Sequence, residues 1–267
     1  MKRDLIIVIS AFVMLLALAC GGGSESYYVE EEVAAGQGTT SEASAGAGVP
    51  TPAVAADAAT VNGKVMFEGA PPENPVVQMA ADPTCTAHYS GEPVKAQDVV
   101  VSGAGELANV FVYVKNYSGP VPPPSGSVLL DQVGCRYEPH VVGVQVGQEL
   151  VIRNSDETLH NVHALASVNK EFNIGQPVRG MESKKTFDRQ EIMIKVKCDV
   201  HAWMNSYVGV VGHPYFAVSD GSGTFSIGGL PPGTYTLEAW HEKLGTRTQQ
   251  ITVSPSEAKD VSFSFGT

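Results

Sequence analysis

Residues 198–204 read CDVHAWM and directly follow the strand-like run 192–197. The pattern Cys-x-x-His-x-x-Met places a thiol, an imidazole and a thioether on one short loop. Such a loop can bring three side chains to one metal ion if another segment supplies a further ligand. His160 is the candidate, because it follows the polar turn 154–159 that ends the strand-like run 149–153. The sequence therefore predicts a metal site built from two separate segments.

The residue types in these two segments indicate the metal. Two imidazoles, one thiolate and a weak axial methionine form the trigonal ligand set that suits copper in electron transfer. We therefore predict one mononuclear copper site with His160, Cys198, His201 and Met204 as ligands. His163 is the alternative to His160. Side chains three residues apart in a strand lie on opposite faces, but a turn between them would let His163 bind instead.

Both segments resemble the cupredoxins, the small blue copper proteins of the plastocyanin and amicyanin type. The spacing in 198–204 is similar to that of amicyanin, and 144–154 followed by His160-Asn161 looks like the segment that carries the first copper histidine. The resemblance covers about residues 95–212. It implies three equatorial ligands, which are His160, Cys198 and His201, and one long axial ligand, Met204. It also implies that Asn161 braces the two ligand loops.

The chain from Ala59 onward has the pattern of an all-β protein. Short runs of β-branched and aromatic residues, such as 109–114, 235–240 and 261–265, are separated by Gly, Pro, Asn and Asp. No stretch in this part sustains the apolar period of a helix. We therefore predict β-sandwiches, and the resemblance implies a Greek-key sandwich of the cupredoxin type for the copper segment.

Residues 219–237 resemble the carboxypeptidase regulatory-like domain, a small transthyretin-like β-sandwich that is generally a non-catalytic platform. The nearest match to its opening strand, Val-x-Gly-x-Val, is 61–65, which precedes the copper segment. One layout is a split sandwich, with 59–82 and 213–267 on either side of a copper domain at 83–212. In the other layout, the N-terminal strand belongs to the cupredoxin sheet. The sequence leaves both open.

The N-terminus has the features of a secreted lipoprotein. Residues 1–19 form a charged start and a short apolar run, which predict a signal peptide. The sequence LALAC resembles a bacterial lipobox, so Cys20 is the expected lipidation site; a plain signal peptide or short anchor is the alternative. Residues 20–58 then form a flexible linker. The predicted location is the bacterial cell envelope, on the periplasmic or outer side, with a lipid anchor in a membrane.

The four cysteines can be assigned in this setting. With Cys20 lipidated and Cys198 on the metal, Cys85 and Cys135 remain, and a disulfide is their expected state in an oxidising compartment. A second metal site, formed by these two cysteines with His88 and His140, is the alternative.

These features predict an electron carrier rather than an enzyme. The chain has one HxxH and no HxH pair, so the additional copper sites of multicopper oxidases and copper nitrite reductases are not expected. A net charge of −11 disfavours nucleic acid and suits a cationic redox protein, such as a cytochrome or an oxidase, with no small-molecule substrate. The alternatives are a copper carrier that supplies an oxidase and a non-catalytic structural module.

Overall fold

The computed structural model describes residues 56–266. The predicted signal peptide, the lipidation site Cys20 and nearly all of the linker lie outside this range. Among the described residues, no helix has the length and apolar character needed to cross a membrane.

The described chain is almost entirely β-structure, as predicted. It has one short helix, α1, and sixteen strands: β1 Ala59–Glu68, α1 Pro83–His88, β2 Phe111–Val114, β3 Ser127–Gln132, β4 Tyr137–Glu138, β5 Val141–Gln145, β6 Glu149–Asn154, β7 His160–Leu165, β8 Phe172–Gln176, β9 Glu182–Lys185, β10 Glu191–Lys197, β11 Asn205–Val211, β12 Phe216–Val218, β13 Thr224–Leu230, β14 Gly233–His241, β15 Gly245–Val253 and β16 Ala258–Gly266.

Seven of these strands form a sandwich from the two ends of the described chain. One sheet has the order β13-β1-β16 and the other has the order β12-β2-β14-β15. The inward faces alternate with polar outward faces, so Val261, Phe263 and Phe265 of β16 are buried while their neighbours are not. β1 is antiparallel to β13 and parallel to β16. The first described strand is therefore hydrogen-bonded to strands that lie more than 150 residues later in the chain.

β2 differs from the sequence-based layout. It falls inside 83–212, but it pairs with β12 and β14 of this first sandwich. All four of its residues are buried. Val112 and Val114 belong to the core of the sandwich, while Phe111 and Tyr113 face the other way into a second apolar cluster. A strand buried on both faces has no polar alternation, so its sequence does not show which sheet it joins.

The remaining strands form the second sandwich, which carries the predicted ligands. Its sheets have the orders β5-β11-β10-β7-β8 and β4-β3-β6-β9. Each sheet contains one parallel pair, β5 with β11 and β3 with β6, and the other neighbours are antiparallel. The core between the sheets includes Leu130, Leu150, Ile152 and Val208, and it extends to Cys198 and Met204.

Two paired glycines let aromatic rings pack closely between the sandwiches. Gly143 and Gly209 are directly opposite each other in β5 and β11. A Cβ atom at Gly209 would lie 2.5 Å from Cζ of Phe111, and one at Gly143 would lie 2.3 Å from Cε2 of Phe216. The absence of side chains at this pair creates a flat area of sheet on which the two rings rest.

Candidate metal centre

The predicted ligands meet at the ends of two neighbouring strands. Cys198 directly follows β10, while His160 is the first residue of β7, and these strands are antiparallel partners. The potential ligand atoms of His160, Cys198 and His201 all lie within 4.8 Å of one another, and all three residues are buried. The sheet therefore brings the two motifs together.

The distances between the potential ligand atoms differ by a few tenths of an ångström from those around one ion. Nδ1 of His160 is 3.0 Å from Nδ1 of His201, and Sγ of Cys198 is 4.0 Å from the latter atom. Atoms about 2.0–2.3 Å from a shared metal are about 3.3–3.8 Å apart in a tetrahedral site. Two imidazoles and one thiol are ligand types that copper binds, and small side-chain shifts would be needed to place the three atoms around one ion.

The loop 198–204 is closed by its own backbone. The Cys198 amide donates to the Met204 carbonyl at 3.1 Å, and the Met204 amide donates to the His201 carbonyl at 2.9 Å. Met204 is 1 % exposed and packs in the same core as Cys198. The loop is thereby fixed with the cysteine and the methionine on its inner side.

Asn161 connects the two ligand segments. Its side-chain oxygen accepts from the amides of Asp199 at 2.6 Å and Val200 at 3.3 Å. The backbone amide of Asn161 donates to Sγ of Cys198 at 3.5 Å. The residue after one ligand histidine therefore holds the backbone that follows the cysteine, which is the position that the resemblance implies for it.

The surroundings of Cys198 favour a thiolate. Burial raises the pKa of the thiol, but hydrogen bonds from His160 and from the amides of Asn161 and His201 outweigh it, so the pKa lies below its usual value. A lowered pKa prepares the sulfur for a metal, since the thiolate is the binding form.

Both His160 and His201 also contact a buried or half-buried carboxylate that sequence reasoning missed. Nε2 of His160 is 2.9 Å from Oδ2 of Asp156, and Nε2 of His201 is 2.9 Å from Oδ2 of Asp82. A carboxylate on the outer nitrogen fixes the ring orientation and raises the basicity of the nitrogen that faces the metal. Asp156 lies four residues before His160, and this short spacing was the one sequence feature that could have indicated their contact. Asp82 is the N-cap of α1 and is distant in sequence from its histidine.

A hydrogen bond joins the rings of His160 and His201 in the metal-free site. Burial lowers the pKa of His160, but the hydrogen bonds and charges of Asp156 and Cys198 outweigh it and raise the pKa to about 9. Burial, with the charge of His160, lowers the pKa of His201 despite the opposing effect of Asp82. His160 therefore carries the proton and donates from Nδ1 to Nδ1 of His201, which donates from Nε2 to Asp82.

This proton makes metal affinity depend on pH. A cation at the site must displace it, so we expect the affinity of the metal-free protein for Cu(II) to rise at least about tenfold per pH unit from pH 6.5 to 8.5. The rise in affinity should end near pH 9, because His160 loses its proton there even when no metal is bound. Competition against a chelator of known affinity at several pH values measures this. An affinity that is constant between pH 6.5 and 8.5 would contradict the protonation scheme.

His163 lies apart from this group. Its Nδ1 is 2.9 Å from Oδ2 of Asp199, and its Nε2 is 2.7 Å from Oε1 of Glu171. The structure thus brings His160, and not His163, next to Cys198 and His201.

The predicted disulfide between Cys85 and Cys135 is present. Within residues 56–266, the candidate metal groups include neither His88 nor His140, so the alternative four-residue site is not assembled. Nε2 of His140 instead lies 2.5 Å from Oε1 of Glu242. The disulfide does lie beside the centre, because Sγ of Cys85 is 3.8 Å from Nε2 of His201.

His201 is covered by Trp203 and by the segment around the disulfide. His201 is only 3 % exposed. The ring of Trp203 lies 4.9 Å from its ring, and Nε1 of Trp203 donates to the Cys135 carbonyl at 3.0 Å. The disulfide, α1 and Trp203 together close this end of the sandwich.

Comparison with known proteins gives matches for different parts of the chain. Residues 205–266 match the family model of the carboxypeptidase regulatory-like domain. This range begins at β11, which lies in the site-bearing sheet, and leaves out β1 and β2, which complete the first sandwich. A sequence search of curated proteins finds no match.

The similar solved structures are copper proteins of the cupredoxin type. The Cu(I) form of an amicyanin point mutant is 22 % identical with a TM-score of 0.29, and the match covers 37 % of this chain and 97 % of amicyanin. A purple cupredoxin from Nitrosopumilus maritimus is 20 % identical with a TM-score of 0.28, over 32 % and 99 % of the two chains. The copper-containing nitrite reductase NirK from Thermus scotoductus SA-01 is 18 % identical with a TM-score of 0.31, over 36 % and 24 %. The family model thus covers residues 205–266, and each of these three structures is similar to about a third of the chain.

Proposed function

We propose that this protein binds one copper ion at His160, Cys198 and His201 and carries single electrons between redox proteins. The observation that carries the proposal is the convergence of two imidazole nitrogens and one thiol sulfur in a buried group, with a carboxylate on the outer nitrogen of each histidine. Copper, when bound, supplies the one-electron redox chemistry.

The protein's own residues keep the ligand geometry constant. The Asn161 brace and the two carboxylates hold the ligands in place whether or not the charge of the ion changes. Little rearrangement is then needed when an electron moves, and the potential is set by the axial ligand and by the hydrogen bonds around the sulfur. No substrate bond is made in this scheme, and we propose a carrier and not an enzyme.

The rest of the proposal concerns the setting of the site. The chain is attached through a lipidated Cys20 to a membrane of the bacterial cell envelope, and its partner is a redox protein such as a cytochrome or an oxidase. The first sandwich, built from β1, β2 and β12 to β16, is a non-catalytic platform into which the copper domain is inserted between β2 and β12.

The test is a visible and EPR spectrum of the full chain loaded with Cu(II), then reduced and reoxidised. We expect an intense thiolate-to-copper absorption that bleaches and returns. A colourless protein with ordinary tetragonal copper would overturn the carrier function. Copper that transfers readily to an acceptor protein without a stable potential would indicate a copper carrier instead.

Met204 offers a test of the axial position. In the proposed site, Met204→Leu removes a weak, long ligand and leaves both imidazoles and the thiolate. We expect the variant to retain copper and to show a shifted reduction potential and a changed colour, because the axial ligand tunes the copper–thiolate bond. Met193→Leu, on β10, is the control. Identical voltammograms and spectra for the two variants would exclude Met204 as a ligand.

A further inference from the structure

The Cys85–Cys135 disulfide has side chains able to bind metal on both sides, all of them buried except the partly exposed Asp82. On one side, Asp82, Cys85 and His201 each offer a ligand atom, and these atoms lie within 4.8 Å of one another. On the other side, Cys135, Asp156 and His160 form a second such group. Both cysteines and both histidines are almost fully buried. The nitrogens on this side are the Nε2 atoms, which the proposed copper site does not use.

We propose that reduction of this disulfide creates a second metal site, distinct from the copper site, for a thiophilic ion such as Zn²⁺. Its ligands are the thiolates of Cys85 and Cys135, Nε2 of His201 and a carboxylate oxygen of Asp82. Thiolate and imidazole ligands in a closed, buried group suit zinc.

The distances support this ligand set. Sγ of Cys85 and Nε2 of His201 are 3.8 Å apart, close to the edge of about 3.6 Å between a sulfur and a nitrogen on one tetrahedral zinc ion. Asp82 already faces the same nitrogen at 2.9 Å. After reduction, the main movement required is a separation of the two sulfurs to about 3.8 Å, which is the distance between two thiolate sulfurs on one zinc ion.

The chemistry balances with a dithiol as reductant. The dithiol transfers two electrons and two protons, so the Cys85–Cys135 bond breaks, two thiols form and the dithiol becomes a cyclic disulfide. Binding of Zn²⁺ then releases both thiol protons. His201 releases its Nε2 proton to solvent, and the proton between the two Nδ1 atoms passes from His160 to His201.

The position of the disulfide links the two sites. The chain beside Cys85 carries Asp82, which supports His201, and the amide of Cys135 donates to Asp156 at 2.7 Å, which supports His160. A metal on the reduced cysteines takes Nε2 of His201 away from Asp82. Occupation of the second site thus changes a histidine of the first, which makes the redox state of the disulfide a control on the copper site.

The test uses zinc alone, in the full chain with Cys198→Ser, so that it is independent of copper binding. The protein is treated with dithiothreitol, freed of it, and titrated with Zn²⁺ against a chromophoric chelator. We expect one tightly bound Zn²⁺ per chain after reduction and none before. The same chain with Cys85→Ser and Cys135→Ser added is the control and should bind none after identical treatment.

A second readout identifies the residues. In the reduced chain without substitutions, Zn²⁺ should slow alkylation of Cys85 and Cys135 at least tenfold, as measured by peptide mass spectrometry. Equal zinc uptake in the oxidised and reduced Cys198→Ser chain, or no protection of these two cysteines, would overturn the second site. A colourless copper-loaded protein would instead contradict only the electron-carrier function.

Discussion

Cys198→Ser is expected to abolish the intense visible absorption of the copper-loaded protein. The absorption of such a site arises from charge transfer between a thiolate and Cu(II). The sulfur of Cys198 lies within 4.8 Å of a ring nitrogen of both His160 and His201. A serine hydroxyl has nearly the same size but a far higher pKa than a thiol, and the pKa of this thiol lies below its usual value. Any Cu(II) that remains should give an ordinary tetragonal EPR spectrum.

Ala202→Ser is the matched control for this experiment. It places the same hydroxyl in the same loop, at an exposed position between His201 and Trp203. We expect its spectrum to equal that of the unchanged chain. If Cys198→Ser kept the visible spectrum of the control, the assignment of the metal-bound sulfur would be wrong.

The candidate ligands could be proposed from the sequence because three of them lie in one local motif. The spacing in 198–204 limits where a sheet can place these side chains, and His160 follows a turn at the end of a strand. The carboxylates that orient the histidines could not be found in the same way. Asp82 reaches His201 only through the covering segment at α1, which a disulfide fastens across a sequence separation of 50 residues.

The fold shows the same division between local and distant information. The all-β class follows from short alternating strands, of which β16 is an example. The sequence did not show which sheet contains β1, because its partners β13 and β16 lie at the other end of the chain. β2 was assigned to the wrong side of a boundary since both of its faces are buried and its four residues are uniformly apolar or aromatic.

Asp156 is expected to affect both the stability of the protein and the metal affinity of the proposed centre. Its two oxygens accept from the amides of Gly134 and Cys135, each at 2.7 Å, and Oδ2 also faces Nε2 of His160. An asparagine has one acceptor oxygen and a donor NH₂ group in place of these two oxygens. Asp156→Asn therefore leaves a buried amide without its acceptor and removes the charge that stabilises the imidazolium. Breaking such a buried pair costs about 3–5 kcal/mol, to be measured by denaturant unfolding.

The same substitution is expected to lower Cu(II) affinity about 10- to 100-fold at a pH above 9, where His160 carries no extra proton in either protein. Without Asp156, only Cys198 opposes the effect of burial on the pKa of His160, so this pKa falls. The dependence of affinity on pH should therefore end at a lower pH than in the unchanged chain. Chelator competition across the pH range measures both effects. Glu157→Gln is the control, because this neighbour is exposed and pairs only with Arg179 at the surface. Equal affinities and equal pH profiles for the two variants would show that Asp156 does not act on the metal centre through His160.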